Sequence, residues 1–159
     1  MTRATRRAVP SDAEAACEVV RRSIVDLCQA DHNGDSDTLA KWLANKTPAN
    51  FERWIASKEH IALAAEIDGA LVGFGLLSLQ GTIAFLYVAP NARFRGVSKS
   101  LLASLEKEAI AVGIRELSLE SSLTALPFYS GRGYTSSGPS ATAFGVTTCY
   151  PMSRLIAAK

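Results

Sequence analysis

The stretch YVAPNARFRGVSKSLL, Tyr87–Leu102, joins an apolar run to a proline, two arginines and a glycine, and then to leucines at helical spacing. It reads as strand, loop, helix. Leu101, Leu102, Leu105, Ala109 and Val112 recur at the three-and-four spacing of one buried helix face, and Gly113 is a suitable terminator. The first backbone N–H groups of such a helix have no intrahelical acceptor, and the macrodipole there is positive, so an anionic phosphate is stabilised at that point. Gly96, lacking a Cβ, lets the main chain approach a ligand closely, while Arg93 and Arg95 can add charge at the rim. A glycine that merely turns the chain, beside solvated surface arginines, satisfies the same spacing, so both readings stand. Neither G-x-x-x-x-G-K-[ST] nor G-x-G-x-x-G is present, and nucleotide hydrolysis and hydride transfer lose support.

Working outward, the period alternates along the chain. Residues 3–9 suit a short strand, and Ser11-Asp12-Ala13-Glu14 has the form of a capping box. Ala16, Val19, Val20, Ser23, Ile24, Leu27 and Cys28 then define a buried helix face. Turn formers at 31–37, DHNGDSD, end it. Leu39, Trp42 and Leu43 predict a second helix, and Phe51, Trp54 and Ile55 a third, with both tryptophans read chiefly as core. IALAAEI and ALVGFGLLSL flank Asp68-Gly69, a dipeptide suited to a tight hairpin turn, and TIAFLYVA at 82–89 supplies a third strand. ELSLE is a further strand. Ser121 and Ser122 can cap a short helix reaching about Ser130, and terminal strands are expected around 134–138 and 144–154. Nothing separates two cores, so residues 1–159 are expected to form one domain.

Composition narrows the function classes. Seventeen basic and fifteen acidic residues leave a net charge of +2, too small to imply a polyanionic partner, so nucleic acid is not expected. Hydrophobic residues make up 48% of the chain, and no apolar run approaches the roughly 20 residues of a membrane span. The basic N-terminus runs into Pro10, Ser11 and Asp12 instead of an apolar signal core, pointing to a cytoplasmic protein. Cys17, Cys28 and Cys149 have neither disulfide nor zinc-site spacing, and no metal is expected.

Arg93-Phe94-Arg95-Gly96-Val97-Ser98, entered from FLYVAP and continued by KSLL, resembles the acetyl-CoA-binding motif of the GCN5-related N-acetyltransferase (GNAT) superfamily, Gln/Arg-x-x-Gly-x-Gly/Ala. Ser98 stands where glycine or alanine is usual. ALPFYSGRGY, 125–134, resembles the later segment in which a short helix supplies a tyrosine, and TRRAVPSDAEAACEVV is similar to the first strand and helix. The resemblance covers nearly the whole chain, with 31–58 least diagnostic. It implies an α/β (α+β) fold: a mixed, mostly antiparallel sheet of about six to seven strands with helices on both faces. It further implies a sheet that splays near its middle, where the pantetheine arm of acetyl-CoA pairs with exposed strand backbone. By position, Leu86, Tyr87 and Val88 are the candidates for pantetheine and acetyl contacts, and Arg93, Phe94, Arg95, Gly96, Val97 and Ser98 for the diphosphate. Alternation puts Phe85 and Tyr87 on one face and Leu86 and Val88 on the other, so one pair is expected to be ordinary core.

The implied reaction is direct attack of a primary amine on the thioester, with Tyr129 as candidate general acid for the departing thiolate. The alternative for that tyrosine is packing beside Phe128 with its hydroxyl at the surface. Glu120, Asp31, His32 and Tyr87 are all available as a base and none is singled out; His32 in a polar turn reads most simply as a solvated residue. The acceptor is a small-molecule or peptide amine, walled by residues 31–58 and the loop 136–144. The resemblance also allows a homodimer through the terminal strands. Two other classes compete: a non-catalytic acyl-CoA-binding regulator of the same fold, motivated by Ser98, and a nucleic-acid module using Arg93, Phe94, Arg95 and Lys99.

Overall fold

In the computed structural model, described for residues 2–143 and 147–157, strands and helices follow the order β1 (Arg3–Arg7), α1 (Ala13–Leu27), α2 (Gln29–His32), α3 (Ser36–Leu43), α4 (Pro48–Ala56), β2 (His60–Ile67), β3 (Ala70–Ser78), β4 (Thr82–Val88), α5 (Val97–Ala111), β5 (Glu116–Ser121), α6 (Leu126–Gly131), β6 (Thr135–Ser136), β7 (Ala141–Ala143) and β8 (Thr147–Leu155). The sheet runs β1-β2-β3-β4-β5-β8-β6, with β7 on β8. Every pairing is antiparallel except β4 with β5. This is the expected mixed, mostly antiparallel sheet with helices on both faces, and it has one strand more than expected, because the 136–144 loop contributes β7.

Two apolar layers cover the sheet. On one face Leu101, Leu102 and Leu105 of α5 bury against Ile61, Leu63 and Leu77. On the other Ala16, Val20 and Ile24 of α1 and Phe51 of α4 bury against Ala62, Phe74 and Leu76. β2 and β3 are therefore apolar almost throughout, since both of their faces are covered. Gly73 and Gly75 let α5 approach: a Cβ on Gly75 would meet Leu105 Cδ1 at 2.9 Å. The β2–β3 hairpin turns at Asp68 (φ 51°) and Gly69 (φ 82°), as the dipeptide predicts.

Local signals were correct in kind and displaced in detail. Pro10–Asp12 forms a 3-10 turn, and Asp12, instead of the expected Ser11 and Glu14, supplies the cap by accepting from the Val9 N–H at 2.8 Å. Proline at the first position of that turn moves the helix start, and Arg6 holds the Asp12 carboxylate at 2.8 Å. Ser122 accepts from the Ala125 N–H at 3.1 Å and so leads into α6, which begins only at Leu126, whereas Ser121 donates to the Ser122 carbonyl. The expected strand at 144–154 begins at Thr147; residues 144–146 lie outside the described residues.

His32 overturns its reading as a solvated loop residue, being buried at 1% exposure. The Gly34 N–H donates to Nδ1 at 2.9 Å, so Nε2 carries the proton and donates to the Ile24 carbonyl at 2.9 Å. The ring closes the C-terminal end of α1 and has no nitrogen free for proton transfer.

Candidate active site

β4 and β5 pair only at Thr82↔Ser118 and Ile83↔Leu119. Beyond Ile83, β4 continues with β3 alone and β5 with β8 alone, so the β5-facing backbone of 84–88 has no strand partner. Ala84 is the pivot. Leu76 pairs with Phe85 and Leu77 with Ile83, which leaves Ala84 as an extra, bulged residue. The insertion reverses the alternation: Ile83, Leu86 and Val88 pack toward α5, while Phe85 and Tyr87 pack toward α1 and α4. Both pairs contribute core packing, and both also face a cavity.

The loop after β4 prepares the N-terminus of α5. Phe94 (φ 63°) and Gly96 (φ 75°) both adopt left-handed backbone, and Gly96 is the N-cap. The N–H groups of Gly96, Val97, Ser98 and Lys99 meet no acceptor among the described residues. A Cβ at Gly96 would stand 3.1 Å from Arg3 Nη1. The Arg95 carbonyl accepts from Arg3 Nη1, tying the loop to β1. Arg93 folds over the Phe94 ring, 4.6 Å from its centroid, and that ring is 93% exposed.

A cavity of about 380 Å³ opens in the splay. Of the residues expected at a cofactor site, Leu86, Tyr87, Val88, Arg93, Phe94, Gly96, Val97, Ser98 and Tyr129 line it. Arg95 does not, because the left-handed turn at Phe94 sends that part of the loop toward Arg3. Ser98 carries only a small side chain toward the cavity, and its amide stays accessible.

Tyr129 is 6% exposed, with Phe128 and Tyr134 ring centroids 5.2 and 5.6 Å away. Tyr134 is itself fixed, donating to Glu106 at 2.9 Å, and Arg154 donates to the same carboxylate oxygen at 2.8 Å. No group among the described residues hydrogen-bonds the Tyr129 hydroxyl. Burial pushes its pKa above the ordinary tyrosine value, which keeps the phenol protonated at the cavity wall. Tyr87 is pushed up likewise, by burial first and then by Cys28, Tyr129 and Asp31.

A second cavity of about 330 Å³ lies across the splay and shares Tyr87 and Ser122 with the first. Asp31, Trp42, Phe85 and Glu120 line it. Cys149 donates its thiol to Glu120 at 2.6 Å, and this, after burial, raises the Cys149 pKa. Asp31 accepts from the Leu123 and Thr124 amides and from the Thr124 hydroxyl. Of the predicted acceptor walls, 31–58 contributes Asp31 and Trp42, whereas Ser136, Gly138 and Ser140 border a separate hollow against β8.

The acetyltransferase (GNAT) domain model matches residues 28–155. The chain belongs to the GNAT family. A Yersinia enterocolitica acetyltransferase is 34% identical over 86 residues, which cover 52% of this chain and 60% of that relative. The crystal structure of a GCN5-related N-acetyltransferase from Rhodopseudomonas palustris superposes with a TM-score of 0.86 at 28% identity, covering 98% of this chain and 96% of the other. The PaiA N-acetyltransferase of Thermoplasma acidophilum, solved in complex with coenzyme A, gives 0.83 at 20% identity, covering 98% and 99%, and shows the shared fold.

This GNAT chain also brings to the first cavity residues that the sequence reading treated as something else. Ser23, Leu27 and Cys28 come from the end of α1, and Thr124 and Ala125 from the turn before α6. Their signal was hidden, because a helix face lining a cavity has the same periodicity as one lining a core. Burial raises the Cys28 thiol to about 12, so it is protonated and inert in this wall. Among the described residues no group of His, Cys, Asp or Glu has the arrangement of a metal site, and no helix is long and apolar enough to cross a membrane.

Proposed function

We propose that the chain transfers the acetyl group of acetyl-CoA directly to a primary amine, with Tyr129 as the general acid. One observation carries the reading: a single cavity is bounded by strand backbone without a partner, by helix-terminal amides without acceptors, and by a protonated phenol.

The residues present suit the cosubstrate. The amides of Gly96 to Lys99, with the positive end of α5 and Arg93 at the rim, favour a diphosphate. The exposed backbone of 84–88 offers hydrogen-bonding groups to the amides of a pantetheine arm, with Leu86 and Val88 along its side. An amine entering from the second cavity meets the thioester beside Tyr87 and Ser122. Its nitrogen lone pair attacks the carbonyl carbon as the C–N bond forms. A backbone N–H near Val88 stabilises the oxygen as charge builds there. The C–S bond then breaks, Tyr129 gives its proton to the sulfur, and the ammonium proton leaves through solvent.

Thiol release from acetyl-CoA, followed across a panel of amines, tests the reading. Amine-dependent release supports it. Coenzyme A binding without turnover of any amine would overturn it in favour of a non-catalytic binder.

A further inference from the structure

The second cavity carries information about the acceptor that the transfer chemistry alone does not. One wall is aromatic. Phe85 lies 5.7 Å from Phe51 and 5.2 Å from Trp54, Tyr87 is 6.2 Å from Phe85, and Trp42 borders the same space. Carboxylates stand at the polar end, and they are not equivalent. Asp31 spends both oxygens on residues 123 and 124. Glu120 accepts the Cys149 thiol on Oε2 alone, and its Oε1 has no partner among the described residues. No described lysine or arginine lines the cavity. Lys46 Nζ stands 5.4 Å from the centroid of the Phe85 ring, and burial lowers its pKa to about 8. That contact shows the aromatic cluster already accommodating an ammonium against a ring face.

Resting on the acetyltransferase reading, we propose that this cavity selects a primary monoamine carried on a flat apolar body, an arylalkylamine or its aliphatic equivalent, whose nitrogen arrives as the ammonium on Glu120 and loses a proton to solvent before its lone pair attacks, with the body against Phe85, Tyr87 and Trp42. Charge and size separate this class from the other amines. An amino acid would bring its own carboxylate beside Glu120 and Asp31, a like-charge contact that no cation among the described lining residues offsets. A polyamine needs several unsatisfied carboxylate oxygens, and among the described lining residues Glu120 alone offers one. The volume of about 330 Å³ is at the small end of ligand sites, suited to one ring and a short chain. Cys149 holds the Glu120 carboxylate in place and is a positioning residue.

The test compares 2-phenylethylamine with phenylalanine, which differ by one carboxylate, alongside spermidine, an aminoglycoside and a short peptide, at saturating acetyl-CoA. The expected result is a kcat/KM for 2-phenylethylamine at least roughly tenfold above that for each of the others, the scale of one charge-assisted hydrogen bond. Glu120→Gln should raise the KM for 2-phenylethylamine about tenfold or more while the KM for acetyl-CoA stays unchanged, and should narrow the gap to phenylalanine. Quenching of tryptophan fluorescence by 2-phenylethylamine without acetyl-CoA gives a binding readout independent of turnover. Preference for phenylalanine, spermidine, the aminoglycoside or the peptide would overturn the proposal and leave the acetyltransferase reading intact. Absence of turnover with every amine would sink both.

Discussion

The Asp31 carboxylate accepts the Thr124 hydroxyl at 2.6 Å and the Leu123 amide at 2.7 Å, tying the end of α1 and α2 to the turn before α6. Thr124 lines the first cavity and Asp31 the second, so the clamp spans the opening in the sheet. Asp31→Ala should remove hydrogen-exchange protection at the 123 and 124 amides and lower kcat/KM for acetyl-CoA about tenfold. The stability cost should be only about 1 kcal/mol, because the bonds are exposed. Unchanged exchange at those amides would remove the clamp from consideration.

Tyr129→Phe keeps the ring contacts with Phe128 and Tyr134 and deletes only the hydroxyl. Loss of a general acid should lower kcat by about a hundredfold or more, with coenzyme A affinity by calorimetry nearly unchanged. An equal loss of affinity and rate would assign the hydroxyl to binding instead.

Gly96 and Gly75 act on the same helix by different means. Gly96→Ala places a side chain at φ 75° and 3.1 Å from Arg3 Nη1, so a cost of about 1–2 kcal/mol and weaker coenzyme A binding are expected. Gly75→Ala drives a methyl toward Leu105 Cδ1 at 2.9 Å and should cost about 1–3 kcal/mol through displacement of α5. Chemical denaturation with calorimetry on each variant reads both effects.

The pH dependence of stability has two predictable ends. Tyr87, Tyr129 and Tyr134 have folded-state pKa values raised chiefly by burial. Their stabilisation is complete below the unfolded tyrosine value of about 10 and is lost as pH climbs toward the folded values. Phenolate absorbance should therefore grow together with loss of circular dichroism. Asp12 behaves oppositely: its hydrogen bond to Arg6, with that from the Val9 amide, lowers its pKa. That contribution is present above the unfolded aspartate value of about 4 and disappears as pH falls through the folded one. Asp12→Asn should flatten the acid limb of a urea-midpoint profile.

Much of this architecture was legible because it depends on neighbours in sequence. The Asp68-Gly69 turn, the leucine face of α5 and the strand–loop–helix around Gly96 all follow from local backbone chemistry. What stayed hidden depends on contacts that form only when the chain folds back on itself. His32 looked like a turn residue because its partners, the Ile24 carbonyl and the Gly34 amide, meet it only once α1 and the following turn have folded. The pairing of Glu120 with Cys149 spans two strands adjacent only in the sheet. The bulge at Ala84 is silent in composition, since an alanine in an apolar run carries no mark of being unpaired.

The extra residue at Ala84 makes the strand sensitive to deletion far more than to substitution. Removing it would keep Phe85 and Tyr87 toward α1 and α4 and Leu86 and Val88 toward α5, since Ile83 and Phe85 already stand opposite the successive residues Leu77 and Leu76, but it would take out the local bend that the bulge puts into β4 where that strand parts from β5. An exposed methyl at that point can be replaced by other small groups, but the number of backbone units there sets the bend with which β4 leaves its neighbour.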